Sequence, residues 1–291
     1  MLGETKWVDH LDRTYRIKFR VGENPFPYYY KFGFLIKVSG LPPIGTHTPF
    51  ILDAAETEAK LLVKKFMYRV IMPNEVFSIN IKGDAGKLIA ANHKSAKLNL
   101  LTVKRKTTIV GLTTKQDFWQ KMKTRARTEF RKSNKYELYT KTVKLEDYFS
   151  DISKILQKTA TRKKFSNSFD EKALLSLSQY LDHSSYTRGF CVGTFHGIEL
   201  ISFSIFLIDN KVLIYFQGGT KPAWLSKGAS TRSVVDGANI GIDMGLEALD
   251  LNGIENLGVR KWKESFGGVE ETWMRIYRLG ILLRPFYRYL R

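Results

Sequence analysis

Three apolar stretches that follow one another closely in the second half of the chain constrain its fold most strongly. They span residues 189–193, 200–208 and 211–217, and a glycine and an Asp-Asn pair supply the turns between them. An Asp-Asn pair between two apolar runs is typical of a short hairpin, and connections this short join antiparallel strands. The sequence therefore predicts a three-stranded antiparallel meander.

A loop that contains glycine follows the third predicted strand and leads into a helix that reaches about residue 245. Lys227 and Gly228 lie in the loop, and Ser230 or Thr231 is the predicted N-cap of the helix. Such a loop can bind a phosphate or pyrophosphate at the helix N-terminus, although its glycine spacing matches neither the Walker nor the dinucleotide motif. Small residues recur within the helix itself, and close packing on the sheet is the simpler explanation for them.

The segment after this helix combines a short strand, cations and a pair of glycines. The strand spans residues 248–251, Arg260 and Lys263 follow it, and Gly267-Gly268 comes directly after a phenylalanine. A double glycine suits a tight turn that needs positive φ or close backbone approach. Cations beside such a turn can receive an anionic group or a developing oxyanion. The alternative is a strand end, a turn and solvated cations, and the spacing leaves both interpretations open.

A helix predicted over residues 116–135 has two distinct faces. Apolar residues at every fourth position form a stripe that we expect to be buried: Phe118, Met122, Ala126 and Phe130. Cations recur in the same way on another face: Lys123, Arg127, Arg131 and Lys135. Glu129 is the one acid near this face. The face is either solvated or a surface for anions. Unrelieved like charges lower the stability of a helix, so a cationic face without a function would be unfavourable, and the second interpretation stays open.

Residues 1–114 are expected to form a smaller α/β unit. We expect a helix that is capped by Asp53 and reaches residue 68 or 72. Strands are predicted at 13–21, 28–38, 76–81 and 98–110. Because residues 111–116 are polar, we place a domain junction there. The predicted organisation is therefore an N-terminal half over residues 1–114 and a C-terminal domain over residues 115–291.

The charge of the chain points to a polyanionic partner. The chain has 291 residues, a formal net charge of +19 and a pI near 9.8. This surplus favours nucleic acid, an anionic membrane surface or phosphorylated substrates without choosing among them. Residues 281–291 mix apolar and basic side chains, which predicts either peripheral membrane contact or a segment docked on the domain.

Sequence signals for export, metal binding and covalent catalysis are weak. No apolar run approaches the roughly 20 residues of a membrane span, and residues 1–23 lack a signal-peptide core, so we expect a cytoplasmic protein with membrane association as an option. Cys191, the one cysteine, lies in an apolar predicted strand and should be a buried thiol. The five histidines are scattered, so no metal site is predicted. Serine-hydrolase, Walker and Rossmann motifs are missing, which leaves chemistry by positioning and oxyanion stabilisation.

Four motifs, in order, resemble those of the Fem-type peptidoglycan-bridge aminoacyltransferases and their acyltransferase relatives, which are variants of the GNAT fold. The resemblance covers about residues 115–280. The motifs are the basic helix Arg125-x-Arg127-x-x-x-Arg131-Lys132, the segment Thr159-x-x-Arg162 before the meander, the strand end Asp250-x-Asn252-Gly253, and Trp262-Lys263-x-x-Phe266-Gly267-Gly268.

This resemblance implies a GNAT-like α/β (α+β) fold with a mixed central sheet flanked by helices, and a degenerate GNAT-like N-terminal half on the substrate side. It implies transfer of an acyl or aminoacyl group to an amine by direct attack. The donor would be an acyl-CoA or an aminoacyl-tRNA, used as a co-substrate with no tightly bound cofactor. The acceptor would be a small molecule or a lipid-linked amine.

The same resemblance implies roles for individual residues. Lys263 would stabilise the carbonyl being transferred or contact the donor. Our hypothesis for the mechanism adds Asp250, or alternatively Glu264, as the acceptor of the amine proton. Substrate-binding positions would be Arg162, Arg127, Arg131 and Arg260. Donor-binding positions would be Lys227, Gly228, Ser230 and Thr231.

A second class of function competes with this one. Net positive charge and aromatics interleaved with Lys and Arg are also typical of a non-catalytic nucleic-acid-binding protein that retains the fold. Salt-dependent RNA binding without transfer to any amine would favour that alternative.

Overall fold

A computed structural model defines the parts of the chain described below, namely residues 18–20, 28–31, 36–40, 75–82, 100–163, 171–181, 188–209, 211–253 and 257–282. By compactness the chain divides into a larger unit, which contains Thr108–Glu270, and a smaller unit, which contains Arg16–Thr107 and Glu271–Arg291. The predicted functional domains, 1–114 and 115–291, stay a prediction. The helix predicted after Asp53, most of the strand predicted over 13–21 and most of the C-terminal tail lie outside the described residues.

The smaller unit contains a mixed sheet in the order β1-β2-β3-β4-β11. Its strands are β1 (Lys18–Arg20), β2 (Tyr28–Lys31), β3 (Ile36–Gly40), β4 (Glu75–Lys82) and β11 (Val269–Leu279), the last entering this unit at residue 271. Only the β3–β4 pair is parallel among the strand pairs described for this unit. The strand predicted over 28–38 is thus two strands, whereas the one predicted over 76–81 is confirmed as β4.

The larger unit contains a second run of strands in the order β5-β10-β9-β8-β7-β6. These are β5 (Leu100–Gly111, from Thr108 onward in this unit), β6 (Tyr139–Val143), β7 (Gly189–His196), β8 (Glu199–Asp209), β9 (Val212–Thr220) and β10 (Ala248–Asp250). The predicted meander is confirmed as β7, β8 and β9, which pair antiparallel. β10 then pairs parallel with β9 and antiparallel with β5.

Helices cover both faces of this sheet. They are α1 (Lys115–Lys121), α2 (Thr124–Lys135), α3 (Phe149–Lys163), α4 (Glu171–Leu181), α5 (Ala229–Asp243) and α6 (Leu257–Lys263). On β8, Ser204 hydrogen-bonds Ser233 of α5 at 2.7 Å. Its neighbour Phe203 points to the opposite face, where Ile155 of α3 packs over Gly219. A mixed sheet flanked by helices, the predicted fold class, is therefore confirmed.

The core between α5 and the sheet explains one of the glycines in that helix. A Cβ on Gly237 would collide with the ring of Phe206, so only a glycine lets α5 approach β8 this closely. Cys191 on β7 is fully buried, as predicted, and this burial raises the pKa of its thiol. None of the helices in the described part of the chain combines the length and the apolarity that crossing a membrane requires.

The helix predicted over residues 116–135 is broken in two. Met122 and Lys123 adopt extended backbone, and the amide of Lys123 donates to the carbonyl of Ser265 at 2.8 Å instead of continuing the helix. The cause is tertiary, because the chain after α6 docks against this break. The apolar stripe is still buried, since Phe118, Met122 and Ala126 are almost fully covered.

The predicted N-cap of α5 is wrong. The helix begins at Ala229, and its N-cap is Gly228, which has a φ of 78° and makes no side-chain cap hydrogen bond. Ser230 and Thr231 therefore lie inside the first turn. A hydroxyl at the N-cap normally satisfies a helix amide, but Thr231 uses its hydroxyl elsewhere, as shown below.

Candidate functional site

The parallel pairing of β9 and β10 stops part-way along β9 in the larger unit. β9 and β10 pair over Ala248, Leu249 and Asp250, and β10 ends there opposite Ile214. β9 continues to Thr220. We call the region around Tyr215, Asp250, Asn252, Gly253 and Lys263 the strand opening. An irregularity in the β8–β9 pairing adjoins it, since Ile205 pairs with Gln217 and the next residue pairs with Tyr215.

The turn after β10 is built by the side chains of the Asp-x-Asn-Gly motif. A carboxylate oxygen of Asp250 accepts a hydrogen bond from the amide of Asn252 at 2.7 Å. The side-chain oxygen of Asn252 accepts from the amide of Gly253 at 2.8 Å. Asn252 has a φ of 60°, a conformation that asparagine tolerates better than most residues. Asp250 is 8% exposed, so its carboxylate faces the protein interior near the opening.

The ammonium of Lys263 contacts the backbone carbonyls of this turn. Its side chain is almost fully buried, with 6% exposure, although lysine is rarely buried without partners. The ammonium donates to the carbonyl oxygens of Gly253 at 2.8 Å and of Asn252 at 3.2 Å. It also lies 5.6 Å from the centre of the Tyr215 ring. A positive charge is therefore fixed where β10 ends, in a place largely shielded from water.

Aromatic rings form the wall beside this charge. Trp262 packs edge-on against Tyr215, with ring centres 6.1 Å apart, and against Phe266, with ring centres 5.2 Å apart. The hydroxyl of Tyr215 hydrogen-bonds Ser204. Burial raises the pKa of Tyr215 to about 12, and the hydrogen bond with Ser204 lowers it only in part. Tyr215 therefore stays neutral near the ammonium of Lys263 at ordinary pH.

Replacing Tyr215 with phenylalanine should make the protein less sensitive to alkali. Since the pKa of Tyr215 is raised to about 12 in the folded protein, the unfolded chain loses this proton first. The contribution of the neutral phenol to the free energy of unfolding is fully present below about pH 10, the pKa of tyrosine in the unfolded chain. It falls as the pH rises toward 12, and the loss is about 1.4 kcal/mol at pH 11. Urea unfolding at pH 8 and 11 measures this loss. Tyr139→Phe, at an exposed tyrosine, should keep the wild-type loss, and an equal effect of both variants would contradict the assignment.

The predicted tight turn at the double glycine is confirmed, and its cause is close packing. Gly267 has a φ of 83°, and a Cβ there would overlap the carbonyl of Lys121 at the end of α1. A Cβ on Gly268 would lie 2.5 Å from Cγ2 of Thr108 on β5. Because neither glycine has a Cβ, the chain after Lys263 can pack directly against α1 and β5.

Arg260 faces carboxylates and not an open anion site. Its Nε donates to Glu264 at 2.8 Å, and a terminal nitrogen of its guanidinium pairs with Glu270. The hydrogen bond to Glu264, followed by the charge of Glu270, raises the pKa of Arg260. The same contact occupies Glu264, the alternative proton acceptor.

The four predicted donor-binding residues lie together at the start of α5, against α2. A Cβ on Gly228 would overlap the backbone carbonyl of Glu129, so the loop and α2 are in direct contact. Thr231 is fully buried and donates its hydroxyl proton to the Glu129 carboxylate at 2.5 Å. Ser230 is half-buried, and the ammonium of Lys227 lies 4.1 Å from the centre of the Trp224 ring. The first turn of α5 thus already faces a carboxylate.

The other predicted substrate-binding arginines lie on α2 and α3. Arg127 and Arg131 belong to α2, and the guanidinium of Arg131 lies 5.7 Å from the Trp119 ring centre. Arg162 is exposed near the end of α3, the helix on the other face of β9. Lys263 and Asp250 are the predicted site residues brought to the opening. Reasoning from sequence missed Tyr215, although an aromatic among the polar and glycine residues that end β9 was a usable signal.

No group of three or more His, Cys, Asp or Glu side chains within the described ranges is arranged to hold a metal ion. The polar groups described at the strand opening include the ammonium of Lys263, the carboxylate of Asp250, the hydroxyl of Tyr215, the side-chain amide of Asn252 and backbone carbonyls. Such groups can orient a carbonyl and move a proton.

Comparison with known proteins supports the fold. No family model and no curated protein matches the sequence. Among solved structures, FemX is 12% identical, covers 99% of this chain and 94% of its own, and has a TM-score of 0.65. L-PGS from Bacillus licheniformis is 13% identical, covers 97% and 90%, and has a TM-score of 0.60.

A third similar structure is the C-terminal domain of a candidate lysylphosphatidylglycerol synthetase from Agrobacterium fabrum. It is 12% identical, covers 97% of this chain and 90% of its own, and has a TM-score of 0.59. At such low identity these similarities establish the fold. The chain therefore has the fold of FemX and of the lysylphosphatidylglycerol synthetase domain, as its motif resemblance led us to expect.

Proposed function

We propose that this protein is an N-acyltransferase that moves an acyl or aminoacyl group from an activated donor to an amine by direct attack. One observation supports this most strongly. The buried ammonium of Lys263 is held beside the turn that follows β10, 2.8 Å from the carbonyl oxygen of Gly253, and the pairing of β10 with β9 ends just before this turn. A fixed charge in a place shielded from water is what an oxyanion requires, because it costs no reorganisation during the reaction.

In the proposed reaction the acceptor nitrogen attacks the donor carbonyl carbon and forms a C–N bond. Negative charge collects on the carbonyl oxygen, where Lys263 stabilises it. The C–S bond of a thioester or the C–O bond of an aminoacyl ester then breaks, and the leaving sulfur or oxygen takes a proton. Asp250, whose carboxylate ends β10, is the proposed acceptor of the amine proton, since Glu264 is paired with Arg260.

Both donor classes carry phosphates, and the charge of the chain suits either. A CoA diphosphate at the start of α5 would meet the carboxylate of Glu129, which is a reason to favour an aminoacyl-tRNA. FemX and the lysylphosphatidylglycerol synthetase domain are the reason to propose a peptide-linked or lipid-linked amine as acceptor. Contact with a membrane surface belongs to the same proposal.

A specific observation also favours the second candidate, a nucleic-acid-binding protein without catalysis. Within the described ranges, four cations of α2 and its N-cap have no acidic partner: Lys123, Arg127, Lys132 and Lys135. Lysines and arginines clustered in this way bind phosphate backbones irrespective of sequence. Binding that weakens steeply with salt, together with no transfer to any amine, would favour this candidate over the enzyme.

Thermal-shift measurements with four ligands test the donor class. We compare an acyl-CoA, free CoA, an aminoacyl-tRNA and the uncharged tRNA. A donor at about 100 times its Kd stabilises the folded protein by about 2.7 kcal/mol, which raises Tm by roughly 5 °C in a chain of this size. A shift with CoA compounds alone would contradict the preference for tRNA. The absence of a shift with all four ligands would contradict the proposed function.

A further inference from the structure

A chain of hydrogen bonds links α2 to the helix that carries Lys263. The indole Nε1 of Trp262 donates to the hydroxyl of Thr231 at 3.0 Å. That hydroxyl donates to the carboxylate of Glu129 at 2.5 Å. Glu129 also accepts from Nε of Arg125 at 3.1 Å, one turn earlier on α2. Three helices, α6, α5 and α2, thus meet at one buried threonine.

The direction of these bonds follows from the chemistry of the groups. An indole N–H can only donate, so the oxygen of Thr231 must accept from Trp262. Its own proton then points to Glu129, which must accept it. Thr231 is fully buried, so water cannot replace a missing partner without a rearrangement. The hydrogen bonds can therefore all be satisfied in one orientation only, and that orientation requires the observed rotamer of Trp262.

We propose that Thr231 and Glu129 are positioning residues that fix the indole of Trp262 and thereby hold Lys263 against the carbonyls of Asn252 and Gly253. Trp262 is adjacent to Lys263 in the last turn of α6, and its ring packs on Tyr215, over which the ammonium of Lys263 also lies. A helix of seven residues has little stability of its own, so its orientation depends on such tertiary contacts. This role rests on the proposed function only where it concerns turnover.

The same contacts show why the hydroxyl of Thr231 does not cap α5. Thr231 is in the first turn of α5, and its hydroxyl is used between helices instead of as a cap. Glu129, the one acid of α2, is likewise partly covered, with its side chain 27% exposed. Both departures from common helix patterns are explained by a single task, which is to hold Trp262.

Hydrogen exchange of the full chain, followed by mass spectrometry, tests the role without any substrate. Thr231→Val keeps the shape of the side chain and removes the hydroxyl. We expect the amides of α6, in peptides covering residues 257–268, to exchange about tenfold faster. Thr231→Ser restores the hydroxyl and should return the wild-type rate. Trp262→Phe removes the donor together with part of the ring that packs on Tyr215 and Phe266, so it should accelerate the same amides at least as much. Adding Thr231→Val to it should change little more.

Thr194→Val is the matched control. Thr194 is equally buried and donates its hydroxyl to the carbonyl of Ala229, also at the start of α5, but it has no bond to α6. Equal acceleration by Thr194→Val, or no acceleration by either Thr231→Val or Trp262→Phe, would overturn the proposal.

Turnover supplies the second measurement. With a donor and an acceptor in hand, Thr231→Val should lower kcat about tenfold, leave the KM for the donor within about twofold and be rescued by Thr231→Ser. A rise in donor KM at unchanged kcat would overturn the positioning role in favour of donor binding. If no amine is ever acylated, the proposed function fails, while the exchange result still decides whether the hydroxyl of Thr231 holds α6.

Discussion

Replacing Lys263 with alanine should lower kcat/KM for acyl transfer by about 10²–10³-fold, the usual effect of removing one donor to a developing oxyanion. The charge lost is buried, lies at the end of β10 and contacts the carbonyls of Asn252 and Gly253. The measurement is the initial rate of acylation with the donor identified by thermal shift.

The same substitution should also reduce stability, and the two effects can be separated. Two carbonyls lose a donor, which costs about 1–3 kcal/mol in a buried place. Lys263→Met keeps most of the side-chain stem that packs near Tyr215, so it should be more stable than Lys263→Ala but equally slow. Lys261→Ala is the matched control, because Lys261 is an exposed lysine of the same helix. Wild-type rates in a folded Lys263→Met protein would remove the catalytic role.

Much of the sheet could be predicted from the sequence because its signals are local. Short turns with glycine and Asp-Asn define β7, β8 and β9. The Asp-x-Asn-Gly motif also builds its own turn, since Asp250 and Asn252 bond amides one or two residues away. Side-chain patterns that act over a few residues are visible in a single sequence.

The parts that failed depend on distant partners. The break at Met122 and Lys123 follows a regular helical pattern, and it exists because the amide of Lys123 meets Ser265. Thr231 resembles an ordinary N-cap, yet its partner Glu129 is 102 residues earlier in the chain. Tyr215 reaches the opening through an irregular register between β8 and β9. Neither a long-range partner nor a local register shift leaves a periodic signal.

Gly267→Ala should destabilise the protein by about 4 kcal/mol or more. Gly267 has a φ of 83°, where a Cβ alone costs roughly 1–2 kcal/mol. The added Cβ would also overlap the carbonyl and the Cβ of Lys121. Because both are part of the backbone framework of α1 and not the end of a flexible side chain, the overlap can be relieved only by moving α1 away from the turn after Lys263.

Gly245→Ala separates these two causes. Gly245 has a similar φ of 75°, but nothing lies within 4 Å of where its Cβ would be. It should therefore show the conformational cost alone, roughly 1–2 kcal/mol. Urea unfolding midpoints of both variants, compared at equal slope, measure the difference. Similar losses would mean that contact with α1 does not hold this turn, and the position of Lys263 would then need another support.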